Sequence, residues 1–394
     1  MNDLPQGYKV GTAAAGFKKT GRDDLGVILS EVPAVCAGLF TTNAFKAAPV
    51  LICQETLDLG LPVRAVMANS GLANACTGDE GVANCRRSRE LLADALGIFH
   101  GQIMPLSTGV IGAQFAMEKW EAAMPQVRES MGSKDAEGFV RAFMTTDSFP
   151  KFLSRDVRLS GGTVRLTGMA KGAGMICPNM ATMLSVVLTD AAVEKKAWQG
   201  MFQRAVELTF NRVSVDGDTS TNDTILGLAN GASGVSATRQ DDVIVLQQAL
   251  TEVLGALSHM LVQDGEGATK VMHIAVNGAK NDADAEKVAR TVGHSQLVKT
   301  AMYGKDANWG RIVAAVGRSG AAFRPQDVRI ALCGVELFRA GQPLSDNFDE
   351  QLREPLEKQD VYVDISLGSG DGCYTLQASD LTHDYVSLNA DYRS

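Results

Sequence analysis

The segment richest in chemistry-bearing residues runs Lys171-Gly-Ala-Gly-Met-Ile-Cys-Pro-Asn-Met-Ala-Thr-Met-Leu184. It sets a lysine, two glycines, a proline and a small residue ahead of a threonine, and an apolar run follows at once. A hydroxyl at the start of a buried strand, behind small and rigid residues, is well placed for an N-to-O acyl shift. In that reaction Thr182 Oγ attacks the Ala181 carbonyl, an ester forms, and water releases the upstream chain. The new α-amine, with a reference pKa of about 7.7–8.0, then serves as a local proton acceptor at neutral pH. The branched Cβ of Thr182 restricts χ1 and holds Oγ in place. On spacing alone the plainer description fits at least as well: a Gly-rich turn entering a core strand, with Thr182 an ordinary strand residue.

Other familiar signatures are absent. The chain has no G-x-x-x-x-G-K-[ST], no G-x-G-x-x-G after a strand, no H-E-x-x-H and no G-x-S-x-G. Its histidines (100, 259, 273, 294 and 383) are far apart in sequence, which argues against a His-centred metal site, and no metal is expected. Seven scattered cysteines without a C-x-x-C pair argue against a disulfide framework or a zinc ribbon and point to a reducing compartment. A net charge of -8 without a long basic run excludes a nucleic-acid partner. The first residues show no basic region followed by an apolar stretch, and no run of about 18 apolar residues occurs. The expectation is a cytoplasmic protein with no membrane span.

Elements must position these groups. Val27–Phe40 reads as strand material broken at Pro33, and Arg64–Ala68 as a second buried strand. Ala83–Leu96 has helical spacing and stops at Gly97, and further helices are expected over Met117–Met131 and from Ala136. Met183–Thr189 is short, apolar and β-branched, as a fully buried strand should be. Helical periodicity returns over Lys195–Thr209 and Asp241–Leu261, and Val271–Val276 reads as a strand. Tyr362–Leu367 and Cys373–Ala378 read as two strands around a Gly-rich turn. The fold class is α/β, with layered sheets and helices in two lobes.

The cleavage-like segment resembles the self-processing site of the ornithine acetyltransferase family, the bifunctional glutamate N-acetyltransferases of arginine biosynthesis. The likeness runs from end to end: Thr41-Thr-Asn-Ala-Phe45, Asn69-Ser-Gly-Leu-Ala-Asn-Ala-Cys-Thr-Gly78, Ser107-Thr-Gly-Val-Ile-Gly112 and Met144-Thr-Thr-Asp147 precede it. Ser214-Val-Asp-Gly-Asp-Thr-Ser-Thr-Asn-Asp223, Asp264-Gly-Glu-Gly-Ala-Thr-Lys270, Asp306-Ala-Asn-Trp-Gly-Arg311 and Asn389-Ala-Asp-Tyr-Arg-Ser394 follow. Cys177 beside Pro178 and Ala307 are small departures that touch no residue assigned to chemistry.

The resemblance implies cleavage between Ala181 and Thr182 into chains 1–181 and 182–394, with Thr182 as nucleophile. It assigns the oxyanion hole to Thr108 and Gly109, in what reads locally as a Gly-bearing turn. Glu266, between two glycines, is expected near the substrate as a proton acceptor or ammonium partner, and Lys171 pairs with the substrate carboxylate. Thr145, Asn389 and Ser394 match substrate-contacting positions. Asp216, Asp218 and Asp223 lie in a loop whose spacing is not that of an EF-hand, so a hydrogen-bonded structural or substrate-side loop is expected. The implied activity is ping-pong transfer of acetyl from N2-acetylornithine to glutamate by a heterotetramer of two chain pairs. No cofactor is expected, with acetyl-CoA as a further acetyl donor. A self-processing aminopeptidase and a non-catalytic binding protein are the rival classes.

Overall fold

The computed structural model describes residues 4–19, 21–177, 183–344 and 348–391. Its strands are β1 (Tyr8–Ala13), β2 (Leu25–Phe40), β3 (Val63–Leu72), β4 (Ile103–Val110), β5 (Lys151–Leu159), β6 (Gly162–Lys171), β7 (Leu184–Thr189) and β8 (Val213–Ser214). They continue as β9 (Thr224–Ala229), β10 (Val271–Ala279), β11 (Arg329–Leu332), β12 (Val335–Arg339), β13 (Gln342–Pro343), β14 (Asp360–Ser366) and β15 (Gly372–Ser379). The α-helices are α1 (Ala48–Asp58), α2 (Gly78–Leu96), α3 (Met117–Ser130), α4 (Ala136–Phe143), α5 (Lys195–Leu208) and α6 (Gln240–Gln263). After them come α7 (Asp282–Gly293), α8 (Gln296–Tyr303), α9 (Trp309–Gly317), α10 (Asp349–Leu352) and α11 (His383–Asp391).

The first sheet runs β4-β3-β2-β9-β7-β6-β5 with β1 added against β2, and the second runs β13-β12-β11-β14-β10-β15-β8. Both mix parallel and antiparallel pairs, so the expected α/β architecture of layered sheets in two lobes is what forms.

β7 explains the layering. Every residue of Leu-Ser-Val-Val-Leu-Thr is buried. Val186 and Leu188 share a core with Phe139 and Phe143 of α4, whereas Val187 shares another with Trp198 and Phe202 of α5 and Leu250 and Leu254 of α6. Covered on both faces, the strand must be continuously apolar rather than alternating. Each such side chain contributes about 1.5–3 kcal/mol of burial. Trp198 Nε1 also donates to the Gly227 carbonyl at 2.8 Å, tying α5 to β9, the parallel neighbour of β7.

The second lobe has its own core, in which Ile274 and Val276 of β10 meet Val288 and Val292 of α7 and Ile312 of α9.

The structure corrects three local expectations. Pro33 does not break its strand: β2 continues through it, and pairing with β3 skips from Leu29 to Ala34 at that point. A proline has no N–H for the ladder and fits such an irregularity. Beyond it β2 changes partner to β9. Ser107-Thr108-Gly109 stands on β4 rather than in a turn. β14 and β15 are not hairpin partners, because β10 lies between them, parallel to one and antiparallel to the other. By length and composition alone α6 is, among the described residues, one helix long and apolar enough to cross a membrane. Its Leu246, Leu250, Val253, Leu254, Leu257 and Leu261 are all fully buried in the first lobe's core, which accounts for that composition.

Candidate functional site

Four strands separate β4 from β6 in the first sheet, yet Lys171 Nζ at the end of β6 donates to Thr108 Oγ1 on β4 at 3.2 Å. The sheet therefore curls around a cleft of about 120 Å³. Thr108, Gly109, Thr145, Lys171, Glu266 and Asn389 all line it. Six residues expected at the site thus line one cleft. Ala181, Thr182 and Ser394 lie outside the described residues.

Lys171 is buried, and a second bond runs from its Nζ to Thr145 Oγ1 at 2.7 Å. Burial lowers its pKa, opposed by Asp147, whose carboxylate stands 4.0 Å away. Asp147 accepts from the Thr145 N–H at 2.9 Å, the Gly172 N–H at 2.6 Å and Lys151 Nζ at 2.8 Å. Burial alone would raise this carboxyl. Lys171, Lys151 and the N–H donors win and hold it at about 2. Lys151, fully buried, also pairs with Asp264, which in turn accepts from the Ser148 N–H. An ion network with every member bonded is the form in which buried charge is tolerated. Here it fixes both the Thr145 turn and the exit of β6.

Asp264 caps the end of α6, so the same network sets where Glu266 leaves that helix. The Glu266 N–H donates to the Ala173 carbonyl at 2.8 Å, and its carboxylate accepts from Asn389 Nδ2 of α11 at 2.9 Å. Gly174 makes room for it: a Cβ there would stand 2.4 Å from Glu266 Oε2. The C-terminal helix is therefore docked at the cleft.

On the opposite wall Gly109 has φ +131°, and a Cβ would fall 2.3 Å from the Gly71 carbonyl carbon. Only glycine fits both the dihedral and the approach. Ser107 Oγ donates to Asn69 Oδ1 at 2.6 Å, and Asn222 Nδ2 donates to the carbonyls of Ser107 and Ala73 at 2.8 and 2.6 Å. The Thr108–Gly109 pair is thus held by bonds on either side, as a preorganised oxyanion site requires.

Both approaches to the expected cleavage point are pinned. Asp216 accepts from the N–H groups of Met175 and Ile176 at 2.6 and 2.9 Å, and Thr219 Oγ1 donates to the Cys177 carbonyl at 3.0 Å. Downstream, the Thr224 N–H donates to the Met183 carbonyl at 2.9 Å. The aspartate-rich loop is a hydrogen-bonding frame beside the cleft, and Asp223 lines the cleft itself.

Sequence reasoning did not single out Lys151, Asp147, Asp264 or Asn222. Three of them stand inside the quoted motifs, but only the tertiary fold shows a buried lysine between two carboxylates. Sequence reasoning set His259 and His273 aside for their separation in sequence and did not consider Asp360; the fold brings the ligand atoms of all three, on α6, β10 and β14, within 4.8 Å of one another. Those atoms already have protein partners: His273 Nε2 meets Asp360 at 2.6 Å, and His259 Nδ1 meets Gln377 at 3.1 Å.

Comparison with known proteins gives a consistent result. Residues 9–394 match the model of the ArgJ family. Over its whole length the chain is 62% identical to the full arginine biosynthesis bifunctional protein ArgJ of Nitratidesulfovibrio vulgaris. It is 43% identical to the protein of that name in Geobacter sulfurreducens, over 99% of each chain. A crystal structure of arginine biosynthesis bifunctional protein ArgJ from Bacillus halodurans superposes with a TM-score of 0.51 at 38% identity. That match covers 54% of this chain and all of the other.

Proposed function

The chain belongs to the ArgJ family, and from that premise we propose that it transfers acetyl from N2-acetylornithine to glutamate through an ester on Thr182. The observation that carries this reading is the single cleft shared by Thr108, Gly109, Thr145, Lys171, Glu266 and Asn389. It joins a cation, a carboxylate and a hydroxyl-plus-N–H pair, which is what an acylated amino acid needs.

Cleavage between Ala181 and Thr182 precedes the reaction. The length of the Bacillus halodurans match supports it: residues 182–394 are 213 of the 394 residues, and a match to all of that chain covers 54% of this one. The matured Thr182 Oγ attacks the acetyl carbonyl, and its proton passes to the Thr182 amine and on to the leaving amine of ornithine. Thr108 and the Gly109 N–H stabilise the oxyanion, a contribution of about 10²–10³ in rate per donor. Glutamate then enters the same cleft, its amine attacks the ester, and Thr182 is regenerated. Lys171 pairs with the α-carboxylate that both substrates carry, and Glu266 with Asn389 holds the amino end. Glu266 shares the base role with the Thr182 amine.

The word bifunctional in the relatives' names supports acetyl-CoA as a second acetyl donor. The two chains remain associated because β7, which begins two residues beyond the new terminus, is buried between helix layers. They assemble as two pairs in the cytoplasm.

The test is ornithine release from N2-acetylornithine with and without glutamate, together with N-acetylglutamate formation from acetyl-CoA. A transferase releases ornithine catalytically only when glutamate is present. Equal release without glutamate would identify a hydrolase and reject this reading.

A further inference from the structure

Where the two lobes meet, away from the cleft, the fold gathers two imidazoles and a carboxylate. His259 is on α6, whose leucines are buried in the first lobe's core, while His273 and Asp360 are on β10 and β14 of the second sheet. The ladders set their row. His273 pairs with Tyr362 on one side and with Gln377 on the other, and Asp360 stands two residues before Tyr362, on the same face of β14. The rings stack in turn, His259 on His273 at 5.6 Å and 23°, and His273 on Tyr362 at 4.7 Å and 15°. With side-chain exposures of 31%, 24% and 40%, His259, His273 and Asp360 are open to ions from solvent.

Counting protons shows a gap at the centre of the cluster. Gln377 Oε1 can only accept, so His259 Nδ1 donates to it at 3.1 Å and carries the ring's proton. A neutral imidazole has one N–H, which leaves His259 Nε2 as a bare lone pair. That lone pair faces Asp360 Oδ1 at 3.7 Å, so two acceptors oppose each other with no proton between them. His273 Nε2 turns to the same oxygen at 2.6 Å. No lysine or arginine pairs with Asp360 among the described residues. A cation is what this arrangement calls for.

We propose that His259, His273 and Asp360 form a binding site for a divalent first-row transition metal ion such as Zn²⁺. Zn²⁺ takes imidazole nitrogens at about 2.0–2.1 Å and carboxylate oxygens at about 2.0–2.2 Å, which in a tetrahedral set puts neighbouring ligand atoms about 3.3 Å apart. The two separations from Asp360 Oδ1, 2.6 and 3.7 Å, bracket that value, so small side-chain adjustments admit the ion. On binding, the proton of His273 moves from Nε2 to Nδ1 by way of water, and both rings stay neutral. Gln377 is the outer partner that fixes the tautomer of His259. Two imidazoles and one carboxylate leave a coordination position for water. The bound ion clamps α6 of the first lobe to the sheet of the second.

The test titrates tag-free protein, stripped with a chelator, with ZnCl2 by calorimetry and follows its melting with and without zinc. Wild type should bind one equivalent and melt at a higher temperature with zinc. His259→Ala and His273→Ala should melt like wild type without zinc and bind it at least about 100-fold more weakly, since even the loss of an outer partner costs about 10–100-fold. Gln377→Leu should weaken binding by about 10–100-fold. If either histidine variant fails to melt cooperatively, Asp360→Asn supplies the same loss of a ligand. Absence of stoichiometric binding by wild type overturns the site, as does equal affinity in wild type and the ligand variants. A thiolate charge-transfer band on titration with Co²⁺ also overturns it, because the ion would then sit on a cysteine. Binding and melting are read without acetyl transfer, so the outcome is independent of the role of Thr182.

Discussion

Replacing Asp147 by asparagine keeps the shape of the side chain and removes the charge that two buried lysines face. The carboxyl is held at about 2 against an ordinary 3.8. At 1.36 kcal/mol per pH unit, that difference is worth about 2 kcal/mol of folding stability at pH 7. The sign follows from linkage: the folded pKa is the lower one, so the contribution is complete above about pH 5 and is lost as pH falls through 3.8 towards 2. At pH 3 about half of it should remain. Urea unfolding of uncut chains, each also carrying Thr182→Ala so that cleavage does not intrude, measures it at pH 7, 5, 4 and 3. Asp147→Asn should be less stable by about 2 kcal/mol at pH 7, and the gap to the parent should roughly halve by pH 3. A gap that is absent at pH 7, or one of constant size across the range, would refute the assignment of Asp147 as the ionised centre of the Lys151–Lys171 network.

Thr108→Val removes one side-chain donor from the oxyanion site and should lower kcat by about 10²–10³ with a melting temperature near that of the parent, measured by steady-state ornithine release. Lys171→Met should raise KM for both N2-acetylornithine and glutamate, since one cation serves both carboxylates; a change confined to one substrate would separate their sites. Gly174→Ala places a Cβ 2.4 Å from the Glu266 carboxylate and must displace it, so kcat/KM should fall while the fold, followed by circular dichroism, is retained.

Most of the elements were legible because their patterns are local. β7 is a continuous apolar run and α6 a long three-and-four repeat, and both are where the residues put them. Gly97 stops α2 in a left-handed conformation as its position suggested. What the sequence hid is long-range. Pro33 looks like a break because a ladder residue needs its N–H, yet the structure uses that defect to hand β2 from β3 to β9. The Gly-rich segment between β14 and β15 looks like a hairpin turn, and only the insertion of β10 shows otherwise. At the site, Thr108, Gly109, Thr145, Lys171, Glu266 and Asn389 were recognised from matching segments, and the curl of the sheet then gathers them. Lys151 carried no such signal, because a lysine in a strand reads as solvent-facing until two carboxylates are folded around it.

The central claim is that Thr182, freed by cleavage, carries the acetyl group. Its most direct test is the intact mass of wild-type protein incubated with N2-acetylornithine and no glutamate, beside Thr182→Ala. The account predicts two wild-type chains, 1–181 and 182–394, with one acetyl group added to the N-terminal residue of the second and removed when glutamate is supplied. Thr182→Ala should remain one unmodified chain. An uncut wild type, or an acetyl group on any residue other than Thr182, would contradict it.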